Sequence, residues 1–259
     1  MYETLHYFAS GSIATIALNR PEVFNAVNEK LTYELQAALE QVAIDQEIRA
    51  VIFTGLGKAF CSGQDLKEST VLKNASLAEA LHQRYNPLIR TMRDLPKPII
   101  CKLNGVAAGA GCSLVLACDV IIASEAASLS QLFINIGLVP DSGSSFFLPR
   151  LVGSLKAFEL CALGTKISAH DALELGLVNQ VVTAEALDKT VQQMAERYAA
   201  APTKAIGLIK KMLQKSGSAT LQEMLDYEAH CQELAGNTAD FREGVAAFLE
   251  KREPRFTGN

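Results

Sequence analysis

The chain has no tryptophan and only four histidines in 259 residues. His6, His82, His170 and His230 stand far apart, and no HExxH or related spacing joins them, so a zinc-hydrolase centre and a structural metal are both disfavoured. The six cysteines, Cys61, Cys101, Cys112, Cys118, Cys161 and Cys231, lie in apolar or glycine-rich surroundings without a CxxC pair. They are expected to be reduced, buried thiols rather than a disulfide framework. No cluster of lysine and arginine occurs and the net charge is −4, which argues against nucleic acid as a partner. The apolar stretch over residues 99–123 is interrupted by Lys102, Asn104 and Asp119. It is too broken to cross about 30 Å of hydrocarbon. Met1-Tyr-Glu-Thr-Leu-His6 has no basic region followed by an apolar core, so no export signal is read there and the cytoplasm is the expected compartment.

What is present is ordinary globular material, 49% hydrophobic and 20% charged, enough for one large or two small domains. Ser12–Leu18 has β-branched residues at strand spacing and is broken by Asn19-Arg-Pro21. Leu31, Leu35, Leu39 and Val42 then recur at helical spacing, with Asn28 as the expected N-cap. Val51–Thr54, Ile99–Leu103 and Val120–Ala123 read as buried strands, with a short piece at Ser128–Gln131 and a polar helical region over residues 67–94. Strand and helix alternate, which predicts an α/β core with mostly parallel strands. From Ala184 onward only helices are expected, near 184–199, 203–214, 219–234 and 238–250. The expected division is a core over 1–195 and a helical C-terminal module over 196–259.

Two glycine turns carry the chemistry. Asn104-Gly-Val-Ala-Ala-Gly-Ala-Gly-Cys112 is nearly free of side chains and runs into a helical segment, Ser113–Cys118. Such a run lets another molecule reach backbone N–H groups. Phe60-Cys-Ser-Gly-Gln-Asp-Leu66 follows the strand at Val51–Thr54 and offers a second set of donors. Two donors aimed at one carbonyl oxygen would stabilise an enolate. The plainer alternative is tight packing at a helix entry.

Those turns, with Asn19-Arg-Pro21, Phe24-Asn-Ala-Val27, Lys97-Pro-Ile-Ile100 and Ala169-His-Asp-Ala-Leu-Glu-Leu-Gly-Leu-Val178, resemble the crotonase superfamily over essentially the whole chain. The resemblance implies a spiral of ββα units and a trimer, or dimer of trimers, built on C-terminal helices. It also implies an acyl-CoA thioester held in an oxyanion hole, with coenzyme A as part of the substrate and no separate cofactor. The hole donors of the family fall on the backbone N–H groups of Gln64 and Ala110. Ser62, Asp65 and Leu66 match the part that receives the CoA adenine, and Lys251 matches a basic group that some members bring to the CoA phosphates. A lysine at a helix end also simply complements the helix dipole.

The departures from the family pattern are informative. Hydratases place one glutamate just after the glycine loop and a second about twenty residues on; in this chain those positions hold Ser113 and Phe133. Two-glutamate hydration is therefore disfavoured. One carboxylate remains in the matching region, Asp141 in Leu138-Val-Pro-Asp-Ser-Gly-Ser-Ser145. It matches the catalytic acid of some Δ3,Δ2-enoyl-CoA isomerases and of ring-1,2-epoxyphenylacetyl-CoA isomerases. Tyr85–Arg90, Phe147–Arg150 and the ending Phe241–Gly258 resemble the latter group, in which a ring epoxide becomes a seven-membered oxepin. Gly143-Ser-Ser145 departs from that group's usual Gly-Gly-Thr. Phe133, Phe146 and Phe147 are expected to line the acyl pocket and desolvate Asp141. The competing structural role for Asp141 is opening a turn or capping the helix that contains Ser145–Phe147. A dehalogenase is disfavoured by Arg90 and Phe133 at the positions of its ring-binding histidine and tryptophan. A non-catalytic acyl-CoA or RNA-binding homologue is the remaining alternative.

Overall fold

The computed structural model describes residues 2–67 and 76–259. Part of the expected helical region over residues 67–94 lies outside the described residues. The rest is helical over Leu77–Ala80 and Asn86–Asp94, joined by a π-helical turn at Leu81–Tyr85.

Among the described residues, ten strands form two sheets: β1 (Leu5–Ser10), β2 (Ile13–Leu18), β3 (Ala50–Gly55), β4 (Ala59–Cys61), β5 (Ile99–Leu103), β6 (Val106–Ala108), β7 (Val120–Ser124), β8 (Ser128–Ser130), β9 (Ile167–Ser168) and β10 (Gln180–Val182). The larger sheet has the order β1-β2-β3-β5-β7-β10 and the smaller β4-β6-β8-β9. Each successive pair, β3 with β4, β5 with β6 and β7 with β8, gives its first strand to the larger sheet and its second to the smaller. This advance, repeated with parallel pairing, is the expected spiral. The antiparallel exceptions are β1 with β2 and β8 with β9.

The larger sheet is covered on both faces, which explains why β3 is buried at every position. One face carries Val51, Phe53, Ile99, Cys101 and Ile121 into the main core against the helix Glu29–Ile44. Asn28 does cap that helix, accepting from the Leu31 N–H at 2.9 Å. The opposite face presents Ile13, Ala50, Ile52, Ile100, Val120 and Ile122 to Leu187, Val191, Ala195 and Ala199, which recur every four residues along the helix Ala184–Ala200. The division expected at 195/196 therefore falls inside a helix that seals the sheet. The composition change at Ala184 marks the end of strands, not the edge of a packing unit.

The next helix, Thr203–Ser216, is also tied to the core. Its Lys210 ammonium, with a side chain 7% exposed, donates to Asp119 at 2.7 Å and to the Met92 carbonyl at 2.9 Å. Asp119 further binds Arg93 at 3.2 Å and accepts from the Ile99 N–H at 2.9 Å. Burial lowers the Lys210 pKa, and the Asp119 carboxylate opposes that shift. The tail returns to the same region: Arg49 donates to the carbonyls of Ala201 and Phe256, and buried Asp240 accepts from the N–H groups of Thr257 and Gly258.

Removing the carboxylate in Asp119→Ala leaves a buried ammonium without its counter-charge, and about 3 kcal/mol of unfolding free energy should be lost. Lys102→Ala breaks an ion pair whose partner, Asp188, is 82% exposed, and should cost less than about 1 kcal/mol. Urea denaturation of both variants measures the contrast.

Candidate active site

The first glycine turn is held in place by a neighbouring segment with an unusual backbone. Phe24 and Asn25 both adopt left-handed conformations, φ 53° and 56°. Asparagine tolerates this region better than most residues. The fully buried Asn25 side chain accepts from the Arg20 N–H and donates to the carbonyls of Leu56 and Ala59, each at 2.9 Å. That geometry presents Val27 to the turn. The Val27 N–H donates to Gly63 at 2.7 Å and its carbonyl accepts from Asp65 at 2.9 Å. Because residues 63 and 65 make these ladder bonds, the Gln64 N–H is directed to the other side of the strand.

The second turn meets the first through its backbone. Gly63 has φ +97°, and a Cβ there would lie 2.8 Å from the Ala108 carbonyl oxygen and 3.6 Å from the Ala110 nitrogen. At Gly111 a Cβ would fall 2.3 Å from the Cys61 carbonyl oxygen. Any side chain at either position would push the turns apart. Ala110 opens the helix Ala110–Leu116, where the first N–H groups have no intrahelical acceptor. The structure thus brings together the two peptides read from sequence as oxyanion donors.

Asp65 and Ser62 are engaged within the turn. Asp65 pairs with Arg20 at 2.9 Å, their side chains 14% and 17% exposed, and also accepts from the Lys67 N–H at 3.1 Å. Ser62 donates weakly to Val23, 3.3 Å away, and Leu66 is half exposed. Gln64 gains a contact the sequence did not suggest: the buried Tyr85 hydroxyl donates to its side-chain carbonyl. Tyr85 ends the π-helical turn, a distortion frequent at functional sites. Its only signal in the sequence was membership of the Tyr85–Arg90 stretch.

Asp141 lies on the turn before the helix Ser144–Leu163 and does not cap it. The N-cap is Gly143, with no side-chain cap bond, and it is the Asp141 carbonyl that accepts from the Ser144 N–H at 3.0 Å. The turn role therefore belongs to the backbone and leaves the carboxylate available. That carboxylate accepts from the Ser142 hydroxyl at 2.8 Å. Ser142 is itself buried with φ +50°, a strained position of the kind that gathers at working sites. Burial raises the Asp141 pKa above its ordinary 3.8, and the Ser142 bond opposes the rise.

Ser113, which the resemblance matches to the first hydratase glutamate, is fully buried. Its hydroxyl contacts the Asp141 carbonyl at 3.1 Å, Ser144 Oγ at 2.7 Å and the Gly109 carbonyl at 3.3 Å. Of the expected pocket phenylalanines, Phe133 sits against the glycine turn, its ring 3.9 Å from where a Gly109 Cβ would be. Phe147 packs on Gly143 and under the Arg93 guanidinium, while Phe146 is half exposed beneath Arg150, 3.6 Å above its ring. Lys251 is the exposed, left-handed C-cap of the helix Ala239–Glu250. The Cys61 and Cys112 thiols beside the turns are pushed up to about 12 by burial, so neither is a thiolate nucleophile at neutral pH. Among the described residues, no group of three or more histidine, cysteine, aspartate or glutamate side chains could hold a metal.

The spiral and the paired glycine turns are those of a crotonase. The enoyl-CoA hydratase/isomerase family model matches residues 9–259, and the chain belongs to that family. It is 43% identical over 261 residues to the 1,2-epoxyphenylacetyl-CoA isomerase of Escherichia coli (strain K12), covering 100% of both chains. A Rhodobacter capsulatus protein named "Probable enoyl-CoA hydratase" is 41% identical over 257 residues, covering 99% of each. An enoyl-CoA hydratase crystal structure from Bacillus anthracis superposes with a TM-score of 0.92 at 35% identity, covering 99% of this chain and 100% of that one.

Ser142→Ala removes the one bond that opposes the pKa rise of Asp141 and leaves the same backbone strain. The Asp141 carboxyl should titrate at higher pH in this variant than in the parent. Carbon-13 NMR of aspartate carboxyls, with the resonance assigned through Asp141→Asn, measures the direction; a downward move would mean that the Ser142 hydroxyl does not stabilise the charged carboxylate.

Proposed function

We propose that this chain is an acyl-CoA isomerase that opens a ring epoxide of the epoxyphenylacetyl-CoA type, or moves a double bond, with Asp141 as its single acid/base. One observation carries the reading. A carboxylate buried enough to be made more basic lies on a turn whose backbone is bonded by Ser113, a residue of the helix that Ala110 opens. The thioester oxygen accepts from the N–H groups of Gln64 and Ala110, each contributing about 3–4 kcal/mol to the enolate-like transition state. In the double-bond shift, the Asp141 carboxylate takes the proton from C2 of a 3-enoyl thioester, leaving a dienolate with its negative charge on the held oxygen. The same carboxyl returns the proton to C4, and the double bond then lies between C2 and C3. No second acid, water or cofactor enters this scheme.

The likeness to the E. coli isomerase supports the ring epoxide as substrate. The hydratase names among the relatives keep hydration as the second reading. Against it stand a serine that is fully buried and a phenylalanine at the two positions where water addition needs an acid and a base. Assembly into a trimer, or dimer of trimers, through the C-terminal helices belongs to the same proposal. It is supported by large apolar side chains left exposed on those helices, Leu221 at 76% and Phe248 at 83% among them. Sedimentation analysis tests it, and a monomer would refute it.

The deciding assay offers purified protein 3-enoyl-CoA, 2-enoyl-CoA and ring-epoxyphenylacetyl-CoA and resolves the products chromatographically. Isomeric product is expected from the first or the third. Hydration of crotonyl-CoA should fall well below the typical enzyme rate of about 10 s⁻¹. Asp141→Asn should fold and bind acyl-CoA normally and lose about 10²-fold or more in isomerisation rate. Full activity in that variant would remove Asp141 from the chemistry.

A further inference from the structure

We propose that Gln131, Ser144 and Ser113 form a buried, one-directional hydrogen-bond chain that positions Asp141 against the glycine turn. Ser113 is thus a positioning residue, not the remnant of a lost glutamate. The proposal rests on the reading of Asp141 as the proton carrier.

The direction follows from counting protons. The Gln131 amide nitrogen lies 2.9 Å from Ser144 Oγ and can only donate to it. Ser144 Oγ lies 2.7 Å from Ser113 Oγ, and Ser113 Oγ lies 3.1 Å from the Asp141 carbonyl, which can only accept. If Ser144 donates to Ser113 and Ser113 to Asp141, every proton in the chain is used. In the reverse order Ser113 would donate to Ser144, the Asp141 carbonyl would keep only the Ser144 N–H, and the Ser144 hydroxyl proton would have no acceptor in the chain. The members are 3%, 0% and 0% exposed, so water does not compete for these bonds and each lost bond leaves an unsatisfied group.

Geometry explains why this chain matters for one residue. Its last bond fixes the carbonyl of Asp141, and the Ser142 hydroxyl fixes the carboxylate of the same residue at 2.8 Å. Both ends of Asp141 are thereby set. Ser113 belongs to the helix that Ala110 opens, and its backbone N–H donates to the Gly109 carbonyl at 3.1 Å, which references that placement to the peptide that precedes Ala110. A glutamate at position 113 could not make these contacts, because its carboxyl would extend beyond the place the short hydroxyl occupies.

The test compares Ser113→Ala, Ser144→Ala and the double variant, using the isomerisation substrate found for the parent and butanoyl-CoA as a non-reacting ligand. In each single variant kcat should fall about 10- to 100-fold, the scale expected for a misplaced reacting group. KM, and the Kd for butanoyl-CoA, should stay within about 2-fold, because the oxyanion donors are untouched. The double variant should be no slower than the slower single, because both cut one chain. Parental kcat in the singles, a loss confined to KM, or additive losses would overturn the proposal. Ser144→Ala decides alone if Ser113→Ala does not fold, and loss of folding in both would make the chain structural and overturn it too. The two ideas fail separately. An active Asp141→Asn defeats the reading of Asp141, whereas an inactive Asp141→Asn beside fully active serine variants defeats only the chain.

Discussion

Backbone-to-backbone contact between the two glycine turns is the constraint on which the site depends. Cys61–Gln64 and Gly109–Gly111 approach so closely that a single added carbon at Gly63 or Gly111 would sit within 2.8 Å of a carbonyl oxygen or nearer. Such proximity is reached only where two strands of the small sheet, β4 and β6, run parallel and deliver their ends side by side. The spiral supplies that arrangement, and the two halves of the site follow from consecutive turns of it.

Polar side chains in this protein mostly serve backbone placement. Asn25 shapes a left-handed segment, Arg20 holds Asp65, and Tyr85 holds Gln64, each through bonds made within the protein itself. Preorganisation of this kind reduces what binding must spend on ordering loops. It also means that Asp65, matched by family likeness to the CoA adenine subsite, already has its carboxylate committed to an arginine and a backbone N–H. Any contact it makes to the adenine end is through its backbone or in addition to that pair.

Apolar runs made β2, β3, β5 and β7 legible in the sequence, as were the C-terminal helices and the N-cap at Asn28, whereas β1 went unread because only Leu5 of its six residues is buried. β4, β6, β9 and β10 were not, because strands of two or three residues have no measurable period, and of the short strands β8 alone was read, as the piece at Ser128–Gln131. Nor was the packing of the helix Ala184–Ala200 across the expected 195/196 division, since its apolar face looks the same whether it packs on its own sheet or on a partner. At the site, glycine spacing identified the two turns and their N–H groups. Ser142, Ser144 and Gln131 gave no signal: short polar residues near a turn are common, and their role comes only from burial beside Asp141. Hydrogen bonding decided between the cap and the proton carrier: Gly143 is the N-cap without a side-chain bond, and it is the Asp141 carbonyl that takes the Ser144 N–H.

The long helix Ser144–Leu163 carries a further consequence in its middle. Gly153 has φ 76° and ψ 163°, so the ladder of main-chain bonds is interrupted there and the rod is mechanically two pieces. The first piece begins at the Asp141 turn, and the second carries the exposed Leu155, Phe158 and Leu163. Force is passed along a helix by its continuous bonding, so a push on the outer piece is absorbed at the break. A load on that apolar surface is thereby kept apart from the turn that carries Asp141.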